Sequence, residues 1–182
     1  MLQRQARPAD PGAVSLSFLD LANPDDLSSA ARSFLAELSE MLRHYQPQHL
    51  AAERSSVEAK SGELTVHLAH AADARFDIVV YSDPGNLSVW VGDAHHDFTP
   101  DDRRPWTAVA VDFIAEVLRG DVRVEAAFRA DEIVSTRLWV HDEDTDQLVS
   151  LGYVGFLSPA RFKLWQRRRV ERYTVPNWDI LR

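Results

Sequence analysis

The chain contains no cysteine, and that absence removes disulfides, thiolate nucleophiles and Cys-type zinc sites together. It has no apolar run approaching the roughly 20 consecutive residues that a bilayer demands, so no membrane partner is expected. Arg4 and Arg7 precede an apolar stretch from Ala13 to Leu21, but Ser15, Ser17 and Asp20 interrupt it. No cleavage pattern follows, which argues against a secretory signal and for a cytoplasmic protein. Glycine is sparse, at 7 residues; there is no Gly-rich phosphate loop, and Ser150-Leu151-Gly152 lacks a Gly-x-Ser-x-Gly elbow. Covalent and nucleotide chemistry are therefore disfavoured. Cations are the minority charge, 20 Lys and Arg against 28 Asp and Glu for a formal net charge of -8, which opposes general binding to nucleic-acid phosphates.

What is present suits a folded protein. At 182 residues, with 45% hydrophobic and 26% charged side chains, residues 1–182 are read as one domain able to bury its own core. Residues 1–12 are polar with two prolines and are expected to be poorly ordered. Val14, Leu16 and Phe18 alternate as a short extended segment would. Asn23, Pro24, Asp25 and Asp26 then supply a cap, a first-turn proline and acids for the positive end of a helix. Leu27, Ala31, Phe34, Leu35, Leu38, Met41, Leu42 and Tyr45 make its apolar stripe, and Pro47 ends it.

Residues 49–61 fit either a short helix or an irregular connection, and Ser61-Gly62 leads into a strand at Glu63–Ala69. Phe76, Ile78 and Val80 alternate before Ser82-Asp83-Pro84-Gly85-Asn86, and Leu87, Val89 and Val91 alternate after it, the pattern of a hairpin. A second helix opens at Asp101–Trp106, carries Val109, Ala110, Phe113, Ile114, Val117 and Leu118, and closes at Gly120. Strands follow near 122–128, 133–141 and 147–156. The fold class is α+β: an antiparallel sheet of five to seven strands, helices mainly on one face, in the order α-βββ-α-βββ. A C-terminal tail, residues 158–182, completes it. That tail carries seven cations against Glu171 and Asp179. Its Ala160–Arg172 stretch is read as a helix, and Trp178 is expected to fold back onto the body.

Three features compete for function. His95, His96 and Asp97 offer imidazoles and a carboxylate for a metal or proton transfer, with His67, His70 or His141 as conceivable additions. Neighbouring histidines on an extended chain diverge, however, and no His-Glu-x-x-His helix is present, so they are read as capping and turn residues before the second helix. Neither a metal nor a cofactor is expected, and no catalytic residue is assigned. Asp142, Glu143, Asp144 and Asp146 are read as a solvated loop rather than a calcium site. The basic tail, with Trp165 and Tyr173 among its arginines, is assigned to intramolecular docking or a homodimer contact before an acidic protein, with nucleic acid last.

The third feature is a sheet face. If the alternating apolar residues meet the helices, Tyr81 and Trp90 project oppositely, and Trp139 with Arg137 beside it is expected to join them. Aromatics and arginine are the side chains that anchor protein interfaces, so Tyr81, Trp90, Arg137 and Trp139 are the candidate partner-binding residues.

The segment Val89-Trp90-Val91-Gly92-Asp93-Ala94-His95-His96-Asp97-Phe98, running into an amphipathic helix within a small acidic cysteine-free domain, resembles immunity proteins of bacterial polymorphic toxin systems. The resemblance covers about Leu64 to Leu118 and implies a non-enzymatic protein that occludes a toxin. The order of helix, three strands, helix and strands is also similar to that of secretion chaperones, which implies a secreted effector as partner. A small enzyme or metal-binding protein using His95, His96 and Asp97 is the remaining alternative.

Overall fold

The computed structural model describes residues 16–20, 24–83, 85–100, 105–129, 132–142, 147–155 and 167–180. Leu16 and Phe18 do not form a strand; Ser17–Leu19 is a 3-10 turn with Leu19 buried. Helix α1 spans Ser29–Tyr45, later than the acidic signal suggests. Pro24–Asp26 makes its own 3-10 turn, and Leu27 bridges to Gly62, which draws the backbone out of helical form. Ser28 then caps, its hydroxyl accepting from the Ala31 N–H at 3.1 Å. Asn23 lies outside the described residues. At the far end Gln46 turns left-handed and donates its N–H to Leu42.

Five strands follow, not three: β1 Ser56–Lys60, β2 Glu63–Leu68, β3 Ile78–Asp83, β4 Asn86–Val91 and β5 Ala94–Phe98, paired in chain order as an antiparallel meander. Ser61 and Gly62 both take positive φ, 55° and 88°, in the two-residue connection of β1 to β2, where a right-handed strand twist favours that geometry. Phe76 sits in a 3-10 turn, so the strand begins only at Ile78. Leu64, Val66, Leu68, Ile78, Val80, Leu87, Val89 and Val91 are all essentially inaccessible. Their odd-even parity buries one face of the sheet.

Helix α2, Trp106–Arg119, contributes Ala110, Phe113, Ile114, Val117 and Leu118 to the same apolar core as Phe34, Leu38 and Leu42 of α1. Gly120 ends it at φ 82°. A second sheet then forms from β6 Val122–Arg129, β7 Glu132–Asp142, β8 Gln147–Gly155 and β9 Arg168–Thr174, in the spatial order β8-β7-β6-β9. The expectation of one sheet is thus corrected to two antiparallel sheets of five and four strands. The tail takes part in this: β9 pairs with the edge of β6 and completes the second sheet.

The helical reading of the tail is corrected at the same place. Arg168–Thr174 is a strand antiparallel to β6: this stretch alternates side chains between Val170 and Arg172 on one side and Tyr173 on the other, and pairing with it satisfies the edge N–H and C=O groups of β6. Residues 156–166, which include the first part of that expected helix, lie outside the described residues, as do residues 1–15. Beyond β9 the chain enters the core, with Val175 and Trp178 buried. The Trp178 N–H donates to Leu118 at 2.8 Å and its carbonyl accepts from the His49 N–H at 3.2 Å. Among the described residues no helix is long and apolar enough to cross a membrane.

Candidate functional site

Pairing registers define what each sheet presents away from the core. Across the first sheet, Ser56, His67, Val79, Trp90 and His95 form one row, and Glu58, Thr65, Tyr81, Ser88 and Asp97 form the next. Tyr81 stands at the centre of this face on the middle strand and is 51% exposed. Trp90 stacks on His95, ring centroids 4.2 Å apart and planes within 19°, so the tryptophan is held flat by its cross-strand neighbour. Asp97 accepts the Ser88 hydroxyl, and its carboxylate lies 3.7 Å from His95 Nε2.

The histidine pair is in β5, not in a turn before α2. The polar sequence Ala94-His95-His96-Asp97-Phe98 is a strand because β4 offers it a full register, from Val91 opposite Ala94 to Leu87 opposite Phe98. Its two imidazoles diverge as strand parity requires. His95 lies on the outer face against Trp90, while His96 packs inward, 4.7 Å from the Phe98 ring and 6.2 Å from Phe113. Burial lowers the pKa of His96 and so favours its neutral form. His67 is committed elsewhere, 2.8 Å from Asp77, and His141 belongs to the second sheet. Among the described residues no three His, Asp or Glu side chains are placed to hold a metal ion.

The second sheet carries the other half of the candidate set. Its outward rows run Thr174, Arg123, Trp139, Ser150 and Arg172, Glu125, Arg137. The Arg137 guanidinium lies 5.2 Å from the Trp139 ring centroid, within cation-π range. Arg172 donates to Glu125 at 2.7 Å. Between them is a recess of about 300 Å3 lined by Arg123, Glu125, Trp139, Leu148 and Arg172. Leu148 is 38% exposed at its rim.

The structure therefore divides the four candidates between two hydrogen-bonded sheets: Tyr81 and Trp90 on the first, Arg137 and Trp139 on the second. Sequence reasoning missed Arg123, Glu125 and Arg172 as companions of Trp139. The alternation Val122, Val124, Ala126 was enough to place Arg123 and Glu125 outward, but Arg172 was invisible while its segment was read as helix. Asp142 ends β7, and the rest of the acidic loop, residues 143–146, lies outside the described residues.

A third polar constellation is buried. His70 is 4% exposed; its Nδ1 accepts the N–H groups of Ala72 and Asp73 at 3.3 and 3.2 Å. Its ring meets Trp178 edge-on at 5.0 Å. Burial, reinforced by His49 nearby, lowers the His70 pKa against the opposing pull of Asp77 and Asp73. Unfolded chains therefore take up protons on His70 and His96 at higher pH than the folded protein does. Their contribution to stability is complete above the unfolded histidine pKa of about 6.5 and is lost as pH falls from there through the lowered folded-state pKa values. Urea midpoints at pH 7.5 and 5.5 should show a smaller acid loss for His70→Asn, whose amide oxygen can replace the Nδ1 acceptor, than for the wild type. Equal losses would remove His70 from this account.

Comparison of the chain with protein-family models, with curated proteins and with solved structures returned no match.

Proposed function

We propose that this chain is a non-catalytic protein-recognition domain that binds through the outward faces of its sheets. The observation that carries this reading is the placement of Tyr81, Trp90 and Trp139, with Arg137 against the last, on faces turned away from the core. Large rings held rigidly by neighbours lose little entropy on binding, and an arginine stacked on tryptophan presents both apolar area and donors. The chemistry of a catalytic centre has less support: His95 and His96 point to opposite sides of β5, and the buried His70 is bound to backbone N–H groups.

The finer reading is an immunity protein that occludes a bacterial toxin, supported by the resemblance across Leu64 to Leu118. The five-strand meander now accounts for most of that segment and ends with α2. A pull-down from the native host followed by titration is the test. Trp90→Ala or Trp139→Ala should weaken the captured partner by about 2 kcal/mol or more, with the far-ultraviolet circular dichroism unchanged. Unchanged affinity in both variants would move the binding site off these faces.

A further inference from the structure

The surface around Trp139 has a chemistry of its own. Arg123, Arg137 and Arg172 surround it with Glu125 the one carboxylate among them, in a chain whose net charge is -8. Arg172 is partly neutralised by Glu125. Arg123 is exposed, and among the described residues no carboxylate pairs with it. The recess of about 300 Å3 beside Trp139 does not stop there: a second, of about 290 Å3, shares Arg123 and Leu148 with it and continues past Val122 and Thr174 to Asp121 and His141.

From Glu125 to Asp121 this trough follows β6, a length of roughly 13 Å at about 3.3 Å per residue. That is room for an extended stretch of about four residues, more than one small anion would use. Its walls alternate in kind. The Trp139 ring and the exposed Leu148 offer apolar contact, while Arg123 and the outer guanidinium nitrogens of Arg172 offer fork-shaped donors suited to carboxylates. Glu125 and Asp121 within the trough, and the acidic body around it, would repel a continuous chain of phosphates.

We infer that this trough is the docking groove for an extended acidic segment of a protein partner, one that sets Asp or Glu against Arg123 and Arg172 and an aliphatic side chain against Trp139 and Leu148. The inference rests on the protein-recognition reading and names the partner's chemistry at one of its faces. Charge complementarity selects the occupant: Arg123, Arg172 and the neighbouring Arg137 stand against Glu125 and Asp121, a cationic excess of one on an acidic protein that favours a carboxylate-bearing peptide here.

The test is selection from a library of displayed random octapeptides, with the full chain as bait. Acidic peptides containing Leu or Ile should be enriched. Against Arg123→Glu/Arg172→Glu the same library should lose that enrichment. A fluorescein-labelled peptide chosen from the wild-type pool should bind the double variant at least tenfold more weakly, and Trp139→Ala similarly. Both arginines are exposed, so circular dichroism should report an intact fold for the charge-reversed protein. Absence of acidic enrichment, enrichment that survives charge reversal, or tighter binding of a single-stranded oligonucleotide than of any selected peptide would each overturn the inference. A host partner still captured through Tyr81 and Trp90 in any of those cases would leave protein recognition standing without this groove.

Discussion

Replacing Trp178 with alanine is expected to cost about 3 to 5 kcal/mol, the range for deleting a large aromatic from a core. Trp178 is fully buried, although it lies close to the C-terminus and follows an edge strand. Its backbone is tied at both polar groups, to Leu118 at the end of α2 and to His49 after α1. Its ring lies against His70, in the connection between β2 and β3. One residue thus joins both helix ends through its backbone and the β2–β3 connection through its ring. Truncation would open a cavity among elements that cannot all collapse into it, since each is held by its own hydrogen bonds. Urea denaturation should show the loss as a lower midpoint with little change in slope. A loss below about 1 kcal/mol would mean that the tail is not part of the cooperative core.

Gly92 should be nearly as intolerant. It takes φ 56° in the connection of β4 to β5, and a Cβ there would lie 2.6 Å from the Arg75 carbonyl oxygen and 2.6 Å from the Tyr173 hydroxyl. Left-handed backbone costs a residue with a Cβ about 1 to 2 kcal/mol, and overpacking adds about 1 to 3. Gly92→Ala should therefore lose about 2 to 5 kcal/mol. Tyr173 lies on β9 of the second sheet, and its ring also meets Phe76 edge-on at 6.0 Å, so this is one of the contacts between the tail and the first sheet. Combining Gly92→Ala with Tyr173→Phe removes one of the two clashes but not the one with backbone. The double variant should recover part of the loss, and equal stability of Gly92→Ala and wild type in thermal melts would refute the packing described.

What could be read in the sequence followed from side-chain periodicity alone. The stripes from Phe34 to Leu42 and from Ala110 to Leu118 are the interior faces of the two helices, and the alternations around Val66, Val80, Val89 and Val124 are strands with those residues buried. Three strands escaped because their sequences carry little of that signal. Ser-Val-Glu-Ala-Lys in β1 alternates only weakly, an edge strand whose Val57 and Ala59 are partly buried against the core. Ala-His-His-Asp-Phe in β5 puts polar groups on both faces. Arg-Arg-Val-Glu-Arg-Tyr-Thr in β9 has the composition of a basic helix, and only the waiting edge of β6, which is remote in sequence, makes it a strand. Tertiary pairing overrode local preference in each case. The candidate site suffered accordingly. Tyr81, Trp90, Arg137 and Trp139 were legible as outward residues, but local alternation says nothing of which strands pair, so their division between two sheets was not.

Hydroxyl-radical footprinting of the free protein and of its complex with the captured partner tests protein recognition most directly, because it reads side-chain exposure residue by residue. The account predicts protection of Trp139 and Leu148, of Tyr81 and Trp90, or of both pairs, with Leu35 and Met41 on α1 reacting as before. Protection confined to α1, with all four outward sheet residues as reactive as in the free chain, would contradict it.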